Sequence, residues 1–381
     1  MPRIWICIII IALLATGCSE SSSTFTVKEN DGILHAVNRQ GWNMWDDTAS
    51  APIDFKREQT FGTDKEGGPS LLGGVGALAV DSAGTVYVLD DENLRLLAFN
   101  PDGKVRWSAG RKGEGPGEFW RPEDLVLGNK GHLFVANKRG RQIDMWTTEG
   151  TFVERHSFEE KDLGLLDLVG SADGFLVVSE SGFGSNPQTL HSLDTETWTL
   201  AHSFLLKREM KLPENLSVSV SVGTVGDSIF VSGLTEYTLS RYSVNGSLGF
   251  RISRGVGVLR KPGVYNRGMK IYSEMDAPVR LSEGHLLVDV WWPNNVSDPD
   301  AHFRRLRTGS AEEVVPVSTI DLFTPIGRYI GSLRWKNRYH PSIGDLKTVD
   351  SNGKLYTTTN EPFPQIRRYE VTLQDVAFQN E

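Results

Sequence analysis

The stretch beginning at Leu78, LAVDSAGTVYVLDDENLRLLAFNPDGKVRW, aligns without a gap to the one beginning at Leu125, LVLGNKGHLFVANKRGRQIDMWTTEGTFVE, at a shift of 47 positions throughout. Gly84 falls on Gly131, Val86 on Leu133, Tyr87 on Phe134, Phe99 on Trp146 and Gly103 on Gly150. A unit of this length cannot bury its apolar surface alone, so a repeat of it dictates an array of stacked copies. Within each copy, β-branched and aromatic runs such as TVYVLD and RLLAFN are separated by DSAG and NPDG. Those separators carry the glycine and the Asp or Asn that hairpin turns require. Each copy therefore reads as four short antiparallel strands.

Weaker copies continue down the chain, centred on Gly174, Asp227, Gly284 and Gly353. With Gly84 and Gly131 they make six units, enough to use up a chain of 381 residues as one domain. The fold class this predicts is all-β, a six-bladed β-propeller of four-stranded antiparallel blades over residues 31–381. An open stack would expose unpaired strand edges, so the ring is expected to be closed by an N-terminal strand. The segment GILHAVN, residues 32–38, is expected to pair with QIRRYEV near the C-terminus. The widest spacing, between Gly284 and Gly353, suggests an insertion around 322–344 that forms a loop or small cap.

The first residues, MPRIWICIIIIALLATG, place Arg3 before an apolar run that ends in small residues. That is the layout of a secretory leader, and the run is too short to span a bilayer comfortably. Ala15-Thr16-Gly17-Cys18-Ser19 resembles the bacterial lipobox, with Ala15 where leucine is usual. The resemblance implies a signal peptide over 1–17 and a lipidated Cys18, whose thiol alone can carry a diacylglyceryl group as a thioether. At about 0.8 kcal/mol per buried methylene, two chains make a durable anchor. The other cysteine, Cys7, lies in the leader, so the mature chain has no partner for an intrachain disulfide. Residues 18–30 then read as lipidated terminus and flexible tether.

GEGPGEFWRPEDLVLGNKGHLFVAN and VYVLDDENLRLLAFNPDG resemble the NHL-repeat and related six-bladed β-propeller proteins, especially lipobox-bearing propellers of bacterial envelopes. Gly113, Gly115, Pro116, Gly117, Phe119 and Pro122 match the glycine-rich part of the pattern. Asp90, Asn93, Arg95, Phe99, Asp102 and Gly103 match the second part. In the next copy Asn137 stands for the aspartate and Gln142 for the arginine. Asp90 and Arg95 are therefore expected to tie neighbouring strands rather than to do chemistry.

The loop GRKGEGPGEFWRP, residues 110–122, is rich enough in glycine to suggest a phosphate cradle. A cradle needs a helix N-terminus behind it, and FWRPEDLVL offers a proline and another strand; the P-loop lysine with its Ser or Thr is also missing. A turn between blades, with Phe119 plugging the seam, is the expectation. The eight histidines form no H-x-x-x-H pair, and no G-x-S-x-G nucleophile motif occurs.

Asp124 and Asp167 each lie seven residues before their turn glycine, and Asp345 lies one residue out of phase. Acids at the starts of innermost strands crowd a propeller's channel, so these three could hold calcium, as in lactonase-like propellers. A zinc site of the kind found in the peptide amidating lyase would need a histidine set and disulfides that have no match here. Trp107, Trp120 and Trp146 occupy repeat positions and suit packing between blades. Trp291, Trp292 and Asn294 could form a stacking platform for a sugar or peptide. Arg304, Arg305 and Arg307, with Arg367 and Arg368, read as solvated strand faces.

The formal charge of −8 and sequence pI near 5.6 argue against nucleic-acid partners, which need a dense basic surface. The function expected is that of a monomeric, lipid-anchored cell-envelope propeller, periplasmic or surface-facing. It would bind a protein, peptide or glycan without catalysis and without a required cofactor. A propeller enzyme, a lyase or lactone hydrolase with calcium or zinc in the channel, stands beside it as the alternative.

Overall fold

The computed structural model of the protein describes residues 24–62, 68–128, 130–137, 141–158, 166–180, 188–206, 220–259, 263–265, 268–270, 273–296, 298–336 and 341–374. The leader and Cys18 lie outside them. Side-chain chemistry sets the first turn of the repeat. Asp81 Oδ1 accepts from the backbone N–H of Ala83 (2.9 Å) and Thr85 (2.8 Å), and Oδ2 accepts from the Tyr87 hydroxyl (2.9 Å). Gly84 turns the chain at a φ of 81°, a conformation a Cβ would oppose. Asp350, Gly353 and Tyr356 rebuild the same turn near the C-terminus.

Strands flank these turns in six antiparallel sheets, numbered here as blades I to VI. Blade I is Ala77–Val80, Val86–Asp90, Arg95–Phe99 and Val105–Ala109. Blade II is Asp124–Leu127, His132–Asn137, Gln142–Thr147 and Phe152–Ser157. Blade III is Leu166–Ala172, Phe175–Glu180, Thr189–Asp194 and Thr199–Leu205. Blade IV holds Val222–Val225, Ser228–Ser232, Thr238–Tyr242 and Leu248–Arg254. In blade V, Glu274–Met275 and Val279–Arg280 share the innermost position before Leu286–Pro293, Pro316–Phe323 and Tyr329–Lys336. Blade VI holds Asp345–Val349, Leu355–Thr359 and Gln365–Leu373.

The apolar runs are buried on both sides, as in Val86–Asp90, because each blade packs against two neighbours. Six clusters fill the six seams. Tyr87 and Leu133 meet between blades I and II, Phe134 and Leu176 between II and III, and Val177 and Ile229 between III and IV. Phe230 and Val288 meet between IV and V, Leu287 and Leu346 between V and VI, and Tyr356 and Val88 between VI and I. Each fully buried Leu, Val or Phe stabilises by roughly 1.5–3 kcal/mol, so the seams hold the array together.

The N-terminal segment runs along the outside of three blades. Ile33–Asn38 lies parallel to Leu248–Arg254, with Phe25–Asn30 hairpinned beyond it. Met44–Trp45 lies parallel to Tyr329–Lys336, and Ile53–Phe61 pairs antiparallel with Gln365–Leu373. Residues 32–38 therefore edge blade IV instead of meeting the C-terminal strand; Ile53–Phe61 takes that position. Residues 25–30, expected to lie in the flexible stretch 18–30, belong to a strand. The insertion is also displaced: 322–344 contains regular blade V strand, whereas the added element is a helix, α1 (Pro299–Thr308), between Leu286–Pro293 and Pro316–Phe323. The strand-like composition of GILHAVN is correct, but sequence does not reveal whether a strand adds to an edge in parallel or antiparallel sense.

The segment is fastened by a fully buried ion pair. Arg254 Nη1 lies 2.6 Å from Asp321 Oδ2, which also accepts from the Tyr237 hydroxyl at 2.5 Å. The guanidinium faces the rings of Tyr329, Trp42 and Tyr237 at 3.4, 4.3 and 4.9 Å from their centroids. Asn38 donates to the Gly327 carbonyl (2.9 Å) and accepts from the Tyr329 N–H (2.8 Å). A Cβ on Gly331 would come within 2.1 Å of the Trp45 ring, so the glycine admits the crossing. Removing one buried partner strands the other charge, and such losses run to about 3–5 kcal/mol. Asp321→Ala is expected to lower stability by about that amount in chemical denaturation. The double variant Asp321→Leu/Arg254→Met should recover most of it.

Candidate functional site

Innermost strands from all six blades line a central channel with a cavity volume of about 580 Å³. Its walls include Val80, Leu127, Ser171, Thr224, Arg280 and Val349. Carboxylates stand at or near the starts of three of these strands, on Asp124, Asp167 and Asp345. Asp124 is the first residue of its strand and Asp167 the second of its own, so the equal offset in sequence puts them on adjacent blades. Asp124 Oδ2 accepts from the backbone N–H of Leu168 at 3.1 Å, stitching blade II to blade III. Burial, then the Asp167 charge, pushes the Asp124 carboxyl up to about 7, against the pull of that hydrogen bond.

Asp345 does not join this pair. It starts the innermost strand of blade VI and interacts with Asp289 on blade V, which burial and the charges of Asp276 and Asp345 push well above the carboxylate range. Lys347 opposes that shift. Among the described residues no group of three or more His, Cys, Asp or Glu is placed to hold a metal ion. The three-carboxylate site expected from Asp124, Asp167 and Asp345 is thus divided, because Asp345 belongs to the sixth blade and blade I stands between it and Asp124.

The aromatic platform also comes apart. Consecutive strand residues point to opposite faces. Trp292 is buried, stacked on Trp42 with ring centroids 5.1 Å apart, while Trp291 is half-buried on the other face. Asn294 follows the strand with an exposed side chain, its backbone N–H donating to Val315 (2.8 Å). Trp107 donates to the Thr148 carbonyl (2.9 Å) across the seam, Trp146 is buried against Phe119, and Trp120 is 41% exposed.

The loop GRKGEGPGEFWRP is closed by its own acid. Glu118 Oε2 accepts from the Gly115 N–H (3.0 Å), and Oε1 accepts from Arg111 (2.8 Å). A carboxylate already occupies the donor that an anion would need. A Cβ on Gly113 would fall 2.0 Å from Glu118 Oε2, so this glycine makes room for the acid. Phe119 is fully buried between blades I and II.

The repeat's polar residues hold such loops. Asp90 accepts from the N–H groups of Gly73 and Gly74, from Asn93 and from Arg95, whose Nη2 donates to the Leu71 carbonyl (2.6 Å). Asn137 does the same work in blade II, accepting from Trp120 N–H (2.9 Å) and donating to the Glu118 carbonyl (3.0 Å). There the cation is Arg155, paired with Asp144 and also donating to Glu118 (2.8 Å). The sequence comparison missed it because Arg155 comes from the next strand out.

Basic residues take unexpected places too. Arg304 and Arg305 stand on helix α1 rather than a strand, while Arg367 donates to the Ser342 and Glu361 carbonyls and Arg368 pairs with Glu58. His191 Nδ1 lies 2.8 Å from Ser203 Oγ and its Nε2 3.4 Å from Glu180, in the outer strands of blade III. Burial holds its pKa below the usual histidine value.

Residues 70–161 match the DUF5128 family model, described as a 6-bladed beta-propeller. The chain is a six-bladed β-propeller. NHL repeat-containing protein 3 of Homo sapiens is 28% identical over 95 residues, covering 23% of this chain and 27% of that protein. The matched part of the chain thus spans about a quarter of that curated relative's length. A solved member of the DUF4221 family from Bacteroides vulgatus superposes with a TM-score of 0.56 at 8% identity, over 84% of this chain and 99% of the other. A Bacteroides fragilis protein gives 0.51 at 12% identity, over 84% and 95%. These likenesses bear on the fold alone.

The raised Asp124 pKa has a sign. A carboxyl that binds its proton more tightly folded than unfolded makes the propeller lose stability as pH rises from about 4 to about 7. Asp124→Asn removes the ionisable group, so it is expected to flatten that part of the stability profile. At pH 8, urea denaturation should show a gain on the order of 2 kcal/mol.

Proposed function

We propose that the propeller is a lipid-anchored protein of a bacterial cell envelope that binds a protein, peptide or glycan at the mouth of its channel, without catalysis. What supports this reading is the channel between the innermost strands of all six blades, with the Asp124–Asp167 pair at the start of two of those strands. Loops at the same end present Leu71, Trp120 and Phe363 at 40, 41 and 37% exposure. An acidic opening ringed by isolated apolar side chains suits a ligand that combines polar and apolar groups. The leader and Cys18 in its lipobox-like setting support the anchor.

Metal analysis and thermal unfolding of the form that begins at Ser19 test the reading. Unfolding indifferent to chelator, with no stoichiometric ion, is the expected outcome. Bound calcium or zinc lost on Asp124→Asn would turn the assignment to the metal-dependent lyase or lactone hydrolase. The anchor has its own measurement: metabolic lipid labelling should be abolished by Cys18→Ala, and persistent labelling would overturn it.

A further inference from the structure

Blade V breaks the repeat where its second strand meets blade VI. Asp289 stands five residues after the turn glycine Gly284, a place that Leu89 and Ala136 fill in blades I and II. Leu287, on the same face of the strand, packs with Leu346 in the seam between blades V and VI, so Asp289 faces that seam too. The residue is 7% exposed, and its carboxyl makes no hydrogen bond or ion pair among the described residues; its neighbours act on it through charge alone. An enclosed carboxyl without a partner is costly, and its presence calls for a reason.

Two further acids flank it. Asp276, between Glu274–Met275 and Val279–Arg280, lines the channel and donates its backbone N–H to the Asp289 carbonyl (3.0 Å). Blade IV pins this stretch from the other side. Ser232 Oγ donates to the Asp276 carbonyl (2.8 Å), and Ser221 Oγ accepts from the Ala277 N–H (3.0 Å). Asp345 starts the innermost strand of blade VI, which packs against Leu286–Pro293. The charges of Asp276 and Asp345 both act on Asp289, with a weaker contribution from Asp321, which is already paired with Arg254. Lys347 lines the channel nearby, exposed and without an ion pair among the described residues.

We propose that Asp276 and the enclosed Asp289 behind it, with Asp345 adding negative charge, form a subsite for a primary ammonium on a slender chain, as in the lysine side chain of a peptide ligand. The proposal deepens the channel-binding reading and rests on it. A divalent metal would need several ligands drawn together around it, and among the described residues no group of three His, Cys, Asp or Glu is so placed. An ammonium bonds at longer range and is satisfied by one or two carboxylates with water. A guanidinium is broader and donates in one plane, which suits a crevice that leaves so little of Asp289 open less well. Ser221 also borders a second cavity, of about 210 Å³, lined by Val220, Leu234 and Met275 between blades IV and V. An apolar side chain beside the lysine would fit there.

The test titrates the protein from Ser19 onward with Nα-acetyl-lysine amide in a calorimeter, with the norleucine amide as the uncharged counterpart. Saturable binding of the lysine compound alone is expected, weakened by added salt. The Asp289 carboxyl holds its proton when empty and gives it up beside an ammonium, so the heat should vary with the buffer's ionisation enthalpy and affinity should rise with pH. Asp289→Asn is expected to weaken binding about tenfold or more and to remove the buffer dependence. Asp276→Asn should weaken it as well, whereas Lys347→Gln, which removes a competing cation, should strengthen it. Asp102→Asn, on the outer turn of blade I, should change nothing, and circular dichroism should show all forms folded. Equal binding of the norleucine compound, no saturable binding, or full affinity in Asp289→Asn would overturn the proposal and leave the non-catalytic reading standing. Displacement of the lysine compound by stoichiometric calcium would overturn both.

Discussion

Each blade is apolar on both faces, and this constraint governs the rest of the molecule. A sheet like Val86–Asp90 with its neighbours has no side that tolerates water, so no blade is satisfied until two others cover it. A row of such blades always leaves two faces bare, and only a ring removes them. The six seam clusters are of similar make, each built from the facing residues of two adjacent blades. Blade VI takes its outermost strand, Ile53–Phe61, from the other end of the chain, so the last blade depends on residues that precede the first. Such long-range pairing makes the array cooperative and slow to assemble.

The outer edges pose a second problem, since every blade ends in a strand with unpaired backbone groups. The N-terminal segment covers the edges of blades IV and V with parallel strands that the repeat does not anticipate. An added strand has little register of its own, and a one-residue slip would turn every side chain around. The buried Arg254–Asp321 pair, in contact with Trp42 from the segment and Tyr237 and Tyr329 from the blades, gives it one. A desolvated ion pair is weak evidence for stability but a sound device for fixing an alignment, as a misplaced strand would leave the charges without their cage.

The repeat made the blades legible because hairpin turns depend on local chemistry: Asp81, Gly84 and Tyr87 do their work within seven residues of one another. Loop composition likewise told against a phosphate cradle, and the structure supplies the reason in Glu118. What sequence did not show lies in contacts between distant segments. Arg254, Asp321 and Trp42 carry no motif, and neither phase nor spacing brings them together. The insertion was misplaced for a different reason. TPIGRYIGSLRWK looks irregular beside the first two copies, yet most of it is the strand Tyr329–Lys336, and the helix holds Arg304 and Arg305, whose cluster reads in sequence as a solvated strand face. Phase and order along the chain put Asp124 and Asp167 on neighbouring blades, and the same order sets Asp345 on the sixth blade, apart from both.

The two best copies also show what a repeat preserves. Leu71 and Glu118 occupy equivalent positions, and each carbonyl must be satisfied at a blade boundary where water is scarce. Arg95 meets the first; Asn137 and Arg155 meet the second. The requirement belongs to the backbone, and different side chains fulfil it, so loss of the Asp and Arg pattern in blade II carries no functional message. The starts of the innermost strands behave in the opposite way. Seven residues before their turn glycines, blades II and III place Asp124 and Asp167, while blades I and V place Ala77 and Ala277. No backbone group in those blades requires a carboxylate there, as the alanines demonstrate. The Asp124–Asp167 pair therefore sets blades II and III apart from blades I and V at the starts of their innermost strands.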